Sequence, residues 1–506
     1  MTVNHPPLTH DGFMQYLYLL RYFKHTLREI YPLYPHPPPL REKPPIAGTL
    51  DALAVACTLQ AKQRTAVAIV QEPGRTLLYV SSTNSVTSRR LRSHLERLWK
   101  LLRDYRTSHL RVGTGSEDQQ RELRKQIYAH LYRACYRPYS FTQEEQETFR
   151  MWADVMKSAE DVPSIGQLKY ILSVLESQST FDPDWNDERL YQFAVGHANV
   201  MRDLPKCPTW NWRRISAILL RARGSVPSNA SEFSLKDYAD KALWLNEHVK
   251  RLLSIAEPKT PFSRLGGFLN IPIHITTISS NPSLPRTVDI SIPTLLPLLN
   301  GELDPSATPF TEEQLRRRRD ESFPSMSGVD DVNLSAHHPH PELTLLSYLH
   351  TFSIDAYPYI GLSRPACYAC YRLFDAYNAK INSRGDLPYN LNGPDPELSL
   401  PWVLPLDLAS DRSLVEVEAD GSIRLRGAMW EQFARTMKQD VRDLWMRAVS
   451  FQRVSRKSAE LLGRLNRISG SHGTSDDEDE AKEGIASIMR ALRDERPPEV
   501  SCQASS

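Results

Sequence analysis

The chain has 506 residues, of which 41% are hydrophobic and 24% charged, and its formal net charge is +2. This composition is typical of a globular protein with a packed core, and so small a net charge gives no global argument for a nucleic-acid partner. No apolar run approaches the length of about 18 residues that a transmembrane helix needs, and the polar N-terminus lacks the pattern of a secretory signal. Four of the six cysteines are scattered, which predicts a cytoplasmic or nuclear protein that is not secreted.

Residues 1–45 are expected to form an N-terminal helix over 11–31, followed by a proline-rich linker. Residues 46–84 then predict an α-β-β unit. Apolar, β-branched strands are expected at 65–70 and 76–81, and the Pro73-Gly74 turn between them indicates a hairpin.

Residues 85–330 change character and predict a helical insertion. The helix expected over 88–105 is strongly basic but also carries leucines at core spacing, so its arginines are either a solvated face or a nucleic-acid groove. Short strands are possible at 272–278 and 287–291. Helices are further predicted at 164–177, 186–202, 210–222 and 234–255. Three capping boxes each predict the start of another helix: Ser116-x-x-Gln119, Thr142-x-x-Glu145 and Thr311-x-x-Gln314.

Residues 331–430 resume a mixed pattern. A helix is predicted over 341–352, a strand over 357–363, and a second helix that begins at Cys367 and Cys370. Further on, Asp420-Gly421 indicates the turn of a hairpin. The two remaining segments are a long helix over 431–468 and an acidic tail over 469–506 that is expected to be disordered.

Residues of the types that bind zinc lie close together within residues 331–430. His340-Pro341-Glu342 opens the first helix, and Cys367 and Cys370 lie one helical turn apart at the start of the second. Twenty-four residues separate Glu342 from Cys367. Zinc prefers nitrogen and sulfur ligands, and a catalytic site has three protein ligands and one open position. His340, Cys367 and Cys370 would supply three ligands and leave Glu342 free to move protons. His337 and His338 are competing ligands, but neither has a glutamate two residues on.

These residues resemble those of the OTT-like deaminase family, a fungal-type family of the cytidine deaminase-like superfamily. The resemblance is direct for about 335–406 and rests on topology alone for 46–84. It implies an α/β (α+β) fold, a sheet flanked by helices and here interrupted by a large, mostly α-helical insertion. The segments that carry it are the helix after His340-Pro341-Glu342, the strand PYIGLS, the Cys367/Cys370 pair, Arg384-Gly385 and Pro401-Trp402.

The resemblance further implies a zinc-dependent hydrolytic deaminase of a nucleobase, nucleoside or nucleic acid. His340, Cys367 and Cys370 would be the Zn²⁺ ligands, Glu342 the proton shuttle beside a zinc-activated water, and Asn84 a substrate contact. The chain departs from the family pattern twice. Pro341 stands where alanine is usual, and Ala366 precedes the first cysteine, where proline is frequent and here comes one residue earlier.

Two alternatives remain open. The first is a catalytically inactive, zinc-binding scaffold that uses its helical insertion to bind protein partners. The second is a helical nucleic-acid-binding protein with an incidental metal site, whose binding would depend steeply on salt. Neither alternative involves a membrane.

Overall fold

The computed structural model describes residues 10–22, 46–60, 63–83, 88–110, 116–136, 147, 150, 173–177, 181–203, 235–257, 267–279, 287–301, 309–322, 327–334, 337–382, 389–393, 400, 402–403, 415–417, 423–425, 435–436 and 438–439. The helices are α1 (His10–Tyr22), α2 (Ala47–Ala56), α3 (Ser88–Leu110), α4 (Ser116–Cys135), α5 (Asp187–Asp203), α6 (Leu235–Ala256), α7 (Ile292–Gly301), α8 (Glu312–Ser322), α9 (Pro341–Thr351) and α10 (Tyr368–Asn382). The strands are β1 (Thr65–Glu72), β2 (Arg75–Ser82), β3 (Ile273–Ile278), β4 (Thr287–Asp289), β5 (Asp331–Asn333), β6 (Tyr359–Leu362), β7 (Asn390–Leu391), β8 (Val415–Val417) and β9 (Ile423–Leu425). None of the described helices has both the length and the hydrophobicity that a membrane span requires.

The chain divides into two compact units. One comprises residues 1–14, 35–288 and 331–434, and the other comprises residues 15–34, 289–330 and 435–506. In the latter, Thr311 and Gln314 cap α8 reciprocally: the Gln314 N–H donates to Thr311 Oγ1 at 3.3 Å, and the Thr311 N–H donates to Gln314 Oε1 at 3.0 Å. This confirms the cap predicted from the sequence. The domain boundaries drawn from the sequence stay predictions.

The first unit is built on a five-stranded mixed sheet with the order β3-β2-β1-β6-β7. β1 and β2 form the predicted antiparallel hairpin, in register from Thr65 opposite Ser82 to Glu72 opposite Arg75. Gly74 closes the turn at φ +81°, a left-handed conformation that side chains rarely adopt. The predicted strands are therefore confirmed to within two residues at each end.

The other three strands join the hairpin from distant parts of the chain. β6 pairs antiparallel with β1, and β7 pairs parallel with β6. β3 pairs parallel with β2 from Thr76 opposite Ile273 to Ser81 opposite Ile278. The strand expected at 272–278 is thus present, and it extends the central sheet.

Helices cover both faces of the sheet because the strands alternate. Val67 and Ile69 of β1 and Leu78 and Val80 of β2 pack in one core cluster with α2. Tyr79 points to the opposite face, where its ring lies 5.8 Å from that of Tyr348 in α9. The mixed α/β sheet flanked by helices confirms the fold class inferred from the sequence.

A close contact joins α2 to β6. A Cβ atom at Gly361 would collide with the backbone carbonyl of Leu50, so only glycine allows strand and helix to approach this closely. The next residue after Leu50 is the buried Asp51, whose carboxylate accepts hydrogen bonds from the Tyr359 hydroxyl (2.9 Å) and from the Leu362 N–H (2.9 Å). The carboxylate raises the pKa of Tyr359 in the same direction as burial does, so this hydroxyl stays protonated and donates. These contacts fix β6 against α2.

The helices that follow β2 share this core. Leu91, Leu95, Leu98 and Leu102 of α3 are buried in the same cluster as α2, with residues of α4, α5 and α6 around them. The leucine spacing of α3 thus marks the face of the helix that packs in the core. Two helices predicted from the sequence, at 186–202 and 234–255, correspond to α5 and α6, which begin and end one residue later.

Several expectations cannot be compared with the structure. The linker over 32–45, the helix at 210–222 and the tail over 469–506 lie outside the described residues, as does most of the helix over 431–468.

The Asp420-Gly421 hairpin is confirmed by the antiparallel pairing of β8 with β9, from Val415 opposite Leu425 to Val417 opposite Ile423.

Replacing Gly361 by alanine should lower stability, because the added methyl group has no room against Leu50. We expect a loss of about 1–3 kcal/mol, measured by urea unfolding. Gly196→Ala is the matched control. Its Cβ would meet Val174 at an ordinary 3.7 Å inside α5, so the same change should be neutral or stabilise by up to about 1 kcal/mol. Equal effects at the two positions would contradict the close packing of α2 on β6.

Acid should lower the free energy of unfolding, because buried histidines in the helices that follow β2 must stay uncharged in the folded protein. Burial lowers the pKa of His248 to about 3, and neither ring nitrogen has a hydrogen-bond partner among the described residues. Because the unfolded ring has a pKa near 6.5, stability is full above that pH and falls by about 1.4 kcal/mol per pH unit as the pH drops toward 3. Three further buried histidines have pKa values lowered in the same way: His94, His130 and His197.

His248→Phe should therefore raise the urea midpoint more at pH 5 than at pH 7. Phenylalanine preserves the edge-on contact with Trp244, whose ring centroid lies 4.8 Å from that of His248, and removes the group that must charge on unfolding. The same shift at both pH values would mean that the gain comes from packing alone.

Candidate metal centre

His340 and Glu342 are positioned by the start of α9. His340 is the N-cap residue, with extended backbone angles (φ −61°, ψ 146°), and its carbonyl accepts the first two helical hydrogen bonds. Pro341 occupies the first turn, where its missing N–H leaves no donor unpaired. Glu342 follows directly. The proline therefore fits the helix start, and it brings the imidazole and the carboxylate to the same end of the helix.

The cysteines are positioned by the start of α10. β6 ends at Leu362, and five residues later the Cys367 carbonyl accepts the first hydrogen bond of α10, from the Tyr371 N–H at 3.0 Å. Cys370 lies three residues beyond Cys367, nearly one full helical turn, and therefore returns to the same side of α10. The sequence-based prediction of a helix that begins at the cysteines is confirmed, since α10 starts at Tyr368.

The two helix starts bring four side chains together. His340 Nδ1 lies 3.1 Å from Cys370 Sγ and 3.3 Å from Cys367 Sγ, and the two sulfur atoms are 3.4 Å apart. Glu342 Oε1 lies 3.9 Å from His340 Nδ1. The potential ligand atoms of the four residues all lie within 4.8 Å of one another. Residues that are 30 positions apart in sequence thus form one compact polar cluster.

The cluster is almost completely buried. Both cysteines are 0% exposed, Glu342 is 4% exposed and His340 is 8% exposed. Buried polar groups are costly unless they are hydrogen-bonded or bind a metal. Such a cluster is therefore expected to have a function that offsets its cost.

The electrostatics of the cluster favour one thiolate. Burial raises the pKa of the Cys367 thiol, but the hydrogen bond with Cys370 and the His340 ring outweigh it and hold that pKa well below its ordinary value. Burial and the hydrogen bond with Cys367 raise the pKa of Cys370 well above its ordinary value. Burial lowers the pKa of His340, but the neighbouring Cys367 charge raises it, and the net shift is upward. A metal ion would have to displace the remaining proton.

A tryptophan donates a hydrogen bond into the cluster. The Trp402 indole N–H lies 3.2 Å from Cys370 Sγ, and it lowers the pKa of that thiol against the larger effect of burial. Trp402 is fully buried. Pro401-Trp402 is one of the segments that resemble the family, but no sequence pattern indicates a role for the indole. A partner of this kind orients a metal-binding thiolate and stabilises its charge.

Backbone bonds connect the cluster to the end of the hairpin. The Thr65 N–H donates to Ser363 Oγ at 2.9 Å, and the Ser363 N–H donates to the Thr65 carbonyl at 2.9 Å. On the other side of β1, the Thr83 N–H donates to the Arg64 carbonyl at 3.0 Å. The start of β1, the end of β2 and the loop before Cys367 therefore share one edge of the sheet.

Of the residues singled out from the sequence, His340, Glu342, Cys367 and Cys370 come together. His337 and His338 are outside the four-residue cluster, and both are more exposed than His340. Asn84, the expected substrate contact, lies outside the described residues. Sequence reasoning missed Asp51, whose only sequence signal is that it is the one charged residue of an otherwise apolar helix.

The donor set fits a zinc ion. One imidazole nitrogen and two thiol sulfurs lie within contact distance of each other, so a single ion can bind all three. Three such ligands leave a fourth position open, which is typical of catalytic zinc sites. Glu342 lies beside this set and could remain outside the coordination sphere.

Comparison with known proteins agrees with the site. Residues 339–406 match the family model of the OTT_1508-like deaminases, a deaminase family of the cytidine deaminase-like superfamily. The matched segment contains His340, Glu342, both cysteines and Trp402. No curated protein and no solved structure matches the chain.

Trp402→Phe should weaken metal binding, because phenylalanine retains the packing but removes the N–H that supports the Cys370 thiolate. We expect zinc affinity to fall on the order of tenfold, measured by competition with a chromogenic chelator. Trp99→Phe is the control. It also removes an indole hydrogen bond, 3.3 Å to the Ile271 carbonyl, and should leave zinc affinity unchanged. Equal affinity of wild type and Trp402→Phe would show that the indole does not act on the metal ligands.

Proposed function

Residues 339–406 are an OTT_1508-like deaminase domain, and from this premise we propose that the protein is a zinc-dependent hydrolytic deaminase that acts on a nucleobase, free or as part of a nucleoside or nucleic acid. His340, Cys367 and Cys370 hold the metal. When bound, zinc supplies Lewis-acid activation of water at neutral pH.

One observation carries the proposal: a buried glutamate stands beside a complete set of three zinc ligands. Glu342 is 4% exposed and its carboxylate lies 3.9 Å from His340 Nδ1. A purely structural zinc site closes its fourth position with another ligand and has no use for a neighbouring proton carrier. A catalytic site needs one, which favours an enzyme over a silent scaffold.

The reaction consumes one water and releases one ammonia. Water adds to the amidine carbon of the base, and the Glu342 carboxylate removes the proton of the attacking water and delivers it to the ring nitrogen. Glu342 then takes the remaining proton of the added hydroxyl group and passes it to the exocyclic amine, and the carbon–nitrogen bond to that amine breaks as the ring carbonyl forms. The products are a ring carbonyl and ammonia, and Glu342 returns to its starting state.

The fold supports these roles. The start of α9 places Glu342 in the first turn, where the positive end of the helix dipole stabilises the carboxylate that must accept the proton. Burial of the cluster excludes bulk water, so that each charge acts with little screening. A planar base with an exocyclic amine fits this chemistry, because the amidine carbon needs both a nucleophile and a proton donor on one side.

Metal content tests the first half of the proposal. Purified protein should contain about one zinc per chain, and Cys367→Ser should lose it. Cys135→Ser is the matched control, since Cys135 is equally buried but lies on α4, with its thiol 3.5 Å from the Ala56 carbonyl. Zinc that survives Cys367→Ser, or that is lost equally in Cys135→Ser, would contradict the assignment of the ligands.

Ammonia release tests the second half. Wild type should release ammonia from at least one member of a panel of bases, nucleosides and single-stranded oligonucleotides. Glu342→Gln should retain zinc and lose activity by at least about 100-fold, because the amide cannot carry the proton. A variant that retains both zinc and activity would remove Glu342 from the mechanism. Zinc binding without activity on the whole panel would favour the scaffold alternative.

A further inference from the structure

The exposed face of α3 carries a row of cations without partners. Five residues form it, and we call them the α3 cation row: Arg89, Arg90, Arg97, Lys100 and Arg103. The first four are exposed and Arg103 is half-exposed. None forms an ion pair within the described part of the chain, not even with Glu96 or Asp104 on the same helix. The five cations of the row outnumber these two acidic residues, so this face of α3 is net positive in a chain whose net charge is only +2.

Other exposed helix faces of this protein pair their charges. On α4, Arg133 lies 2.8 Å from Asp187, and Lys125 lies 2.5 Å from Glu122. On α8, Arg316 lies 2.5 Å from Glu312, and Arg317 lies 2.7 Å from Glu321. These cations have anionic partners on their own or a neighbouring helix. The members of the α3 cation row form no such pair among the described residues, which leaves them available to an external anionic partner.

The opposite face of α3 is fixed in the core. Leu91, Leu95, Leu98 and Leu102 are buried, and Arg92 reaches the Ile275 carbonyl of β3 at 3.5 Å. The apolar face of the helix is therefore buried and cannot insert into a membrane, and the cations stand on a rigid support. From Arg89 to Arg103 the row extends about 21 Å along the helix axis.

The end of β2, which leads into α3, lies at the same edge of the sheet as the loop to the cysteines. Thr83, just after β2, is hydrogen-bonded to Arg64, just before β1. Five residues lead from Thr83 to Ser88, the first residue of α3, so these two lie no more than about 18 Å apart. An extended ligand bound along α3 could therefore reach the edge of the sheet where the cluster lies.

We propose that the α3 cation row binds the sugar-phosphate backbone of a single-stranded nucleic acid that presents one of its bases to the site of His340, Glu342, Cys367 and Cys370. The proposal rests on the proposed deaminase function for what happens at the site, and it narrows the substrate class from any nucleobase compound to a polynucleotide strand.

Two chemical features favour a single-stranded nucleic acid over other polyanions. A phosphate backbone offers regularly spaced negative charges to a row of cations, and single-strand binding proteins use positively charged surfaces in this way. A strand also carries the base that the site needs, which an acidic peptide does not. In a duplex the base is stacked and paired, so a single strand reaches the site at lower cost.

The test compares binding of full-length variants to fluorescein-labelled single-stranded oligonucleotides by anisotropy over a range of salt concentrations, with DNA and RNA in separate arms. Arg97→Gln/Lys100→Gln removes two members of the row. Arg316→Gln/Arg317→Gln is the matched control, because it removes the same number of exposed cations from α8, where both are paired. Urea midpoints establish that all variants are folded.

Wild type and the α8 control should bind equally, with affinity that falls as salt rises. The α3 double variant should bind about tenfold more weakly, and its salt slope should be shallower by about 1.4, the value for two lost phosphate contacts on a single strand. The DNA and RNA arms show which sugar is preferred.

Three results would overturn the proposal: equal binding by the α3 variant and the α8 control, an absence of salt-dependent binding in wild type, or displacement of the oligonucleotide by polyglutamate at equal charge concentration. The last would indicate an acidic protein partner. Strand binding without ammonia release would leave this proposal standing while the proposed function fails. Ammonia release from free nucleosides with no strand binding would mean the reverse.

Discussion

The contact between α2 and β6 is the constraint on which the site depends. Gly361 lets the strand approach the backbone of Leu50, and Asp51 holds it there through the Tyr359 hydroxyl and the Leu362 N–H. Cys367 follows the end of this strand by only five residues. Any displacement of β6 would therefore move the cysteines away from His340, which is positioned independently by α9.

Strand pairing then brings the separate parts of the cluster to one edge. β1 pairs antiparallel with both β2 and β6, so the start of β1 meets the ends of its two neighbours. The loop to the cysteines leaves from this edge, as does the connection to α3. Burying polar side chains at such a position lowers the stability of the core. The N–H dipoles at the helix starts of His340 and Cys367 point toward these side chains and offset part of the desolvation cost.

The sequence predicted what depends on local pattern. The hairpin follows from β-branched runs around Pro73-Gly74, and the helix starts follow from Pro341 and from the cysteine spacing. These local signals, together with the family resemblance, were enough to bring four site residues together. They could not reveal that β3 pairs with β2, because the pairing partners are almost 200 residues apart and no local signal specifies a parallel neighbour.

The roles of Asp51 and Trp402 were missed for the same reason. Each is an ordinary residue in its own segment, and each acquires its role only when folding brings it against β6 or Cys370. The basic helix was ambiguous in sequence for a different reason. Leucine spacing identified its core face. The proposed binding surface rests on the absence of ion pairs around the α3 cation row among the described residues, in contrast to the ion pairs on α4 and α8.

The central claim is that one histidine and two cysteines bind a metal ion whose fourth position Glu342 leaves open. Cobalt(II) substitution tests it most directly, through the absorption spectrum of the substituted protein. The account predicts sulfur-to-cobalt charge-transfer bands and intense tetrahedral d–d bands in wild type, unchanged in Glu342→Ala and weakened in Cys370→Ser. A wild-type spectrum without sulfur-to-metal bands, or one that changes in Glu342→Ala as it does in Cys370→Ser, would contradict it.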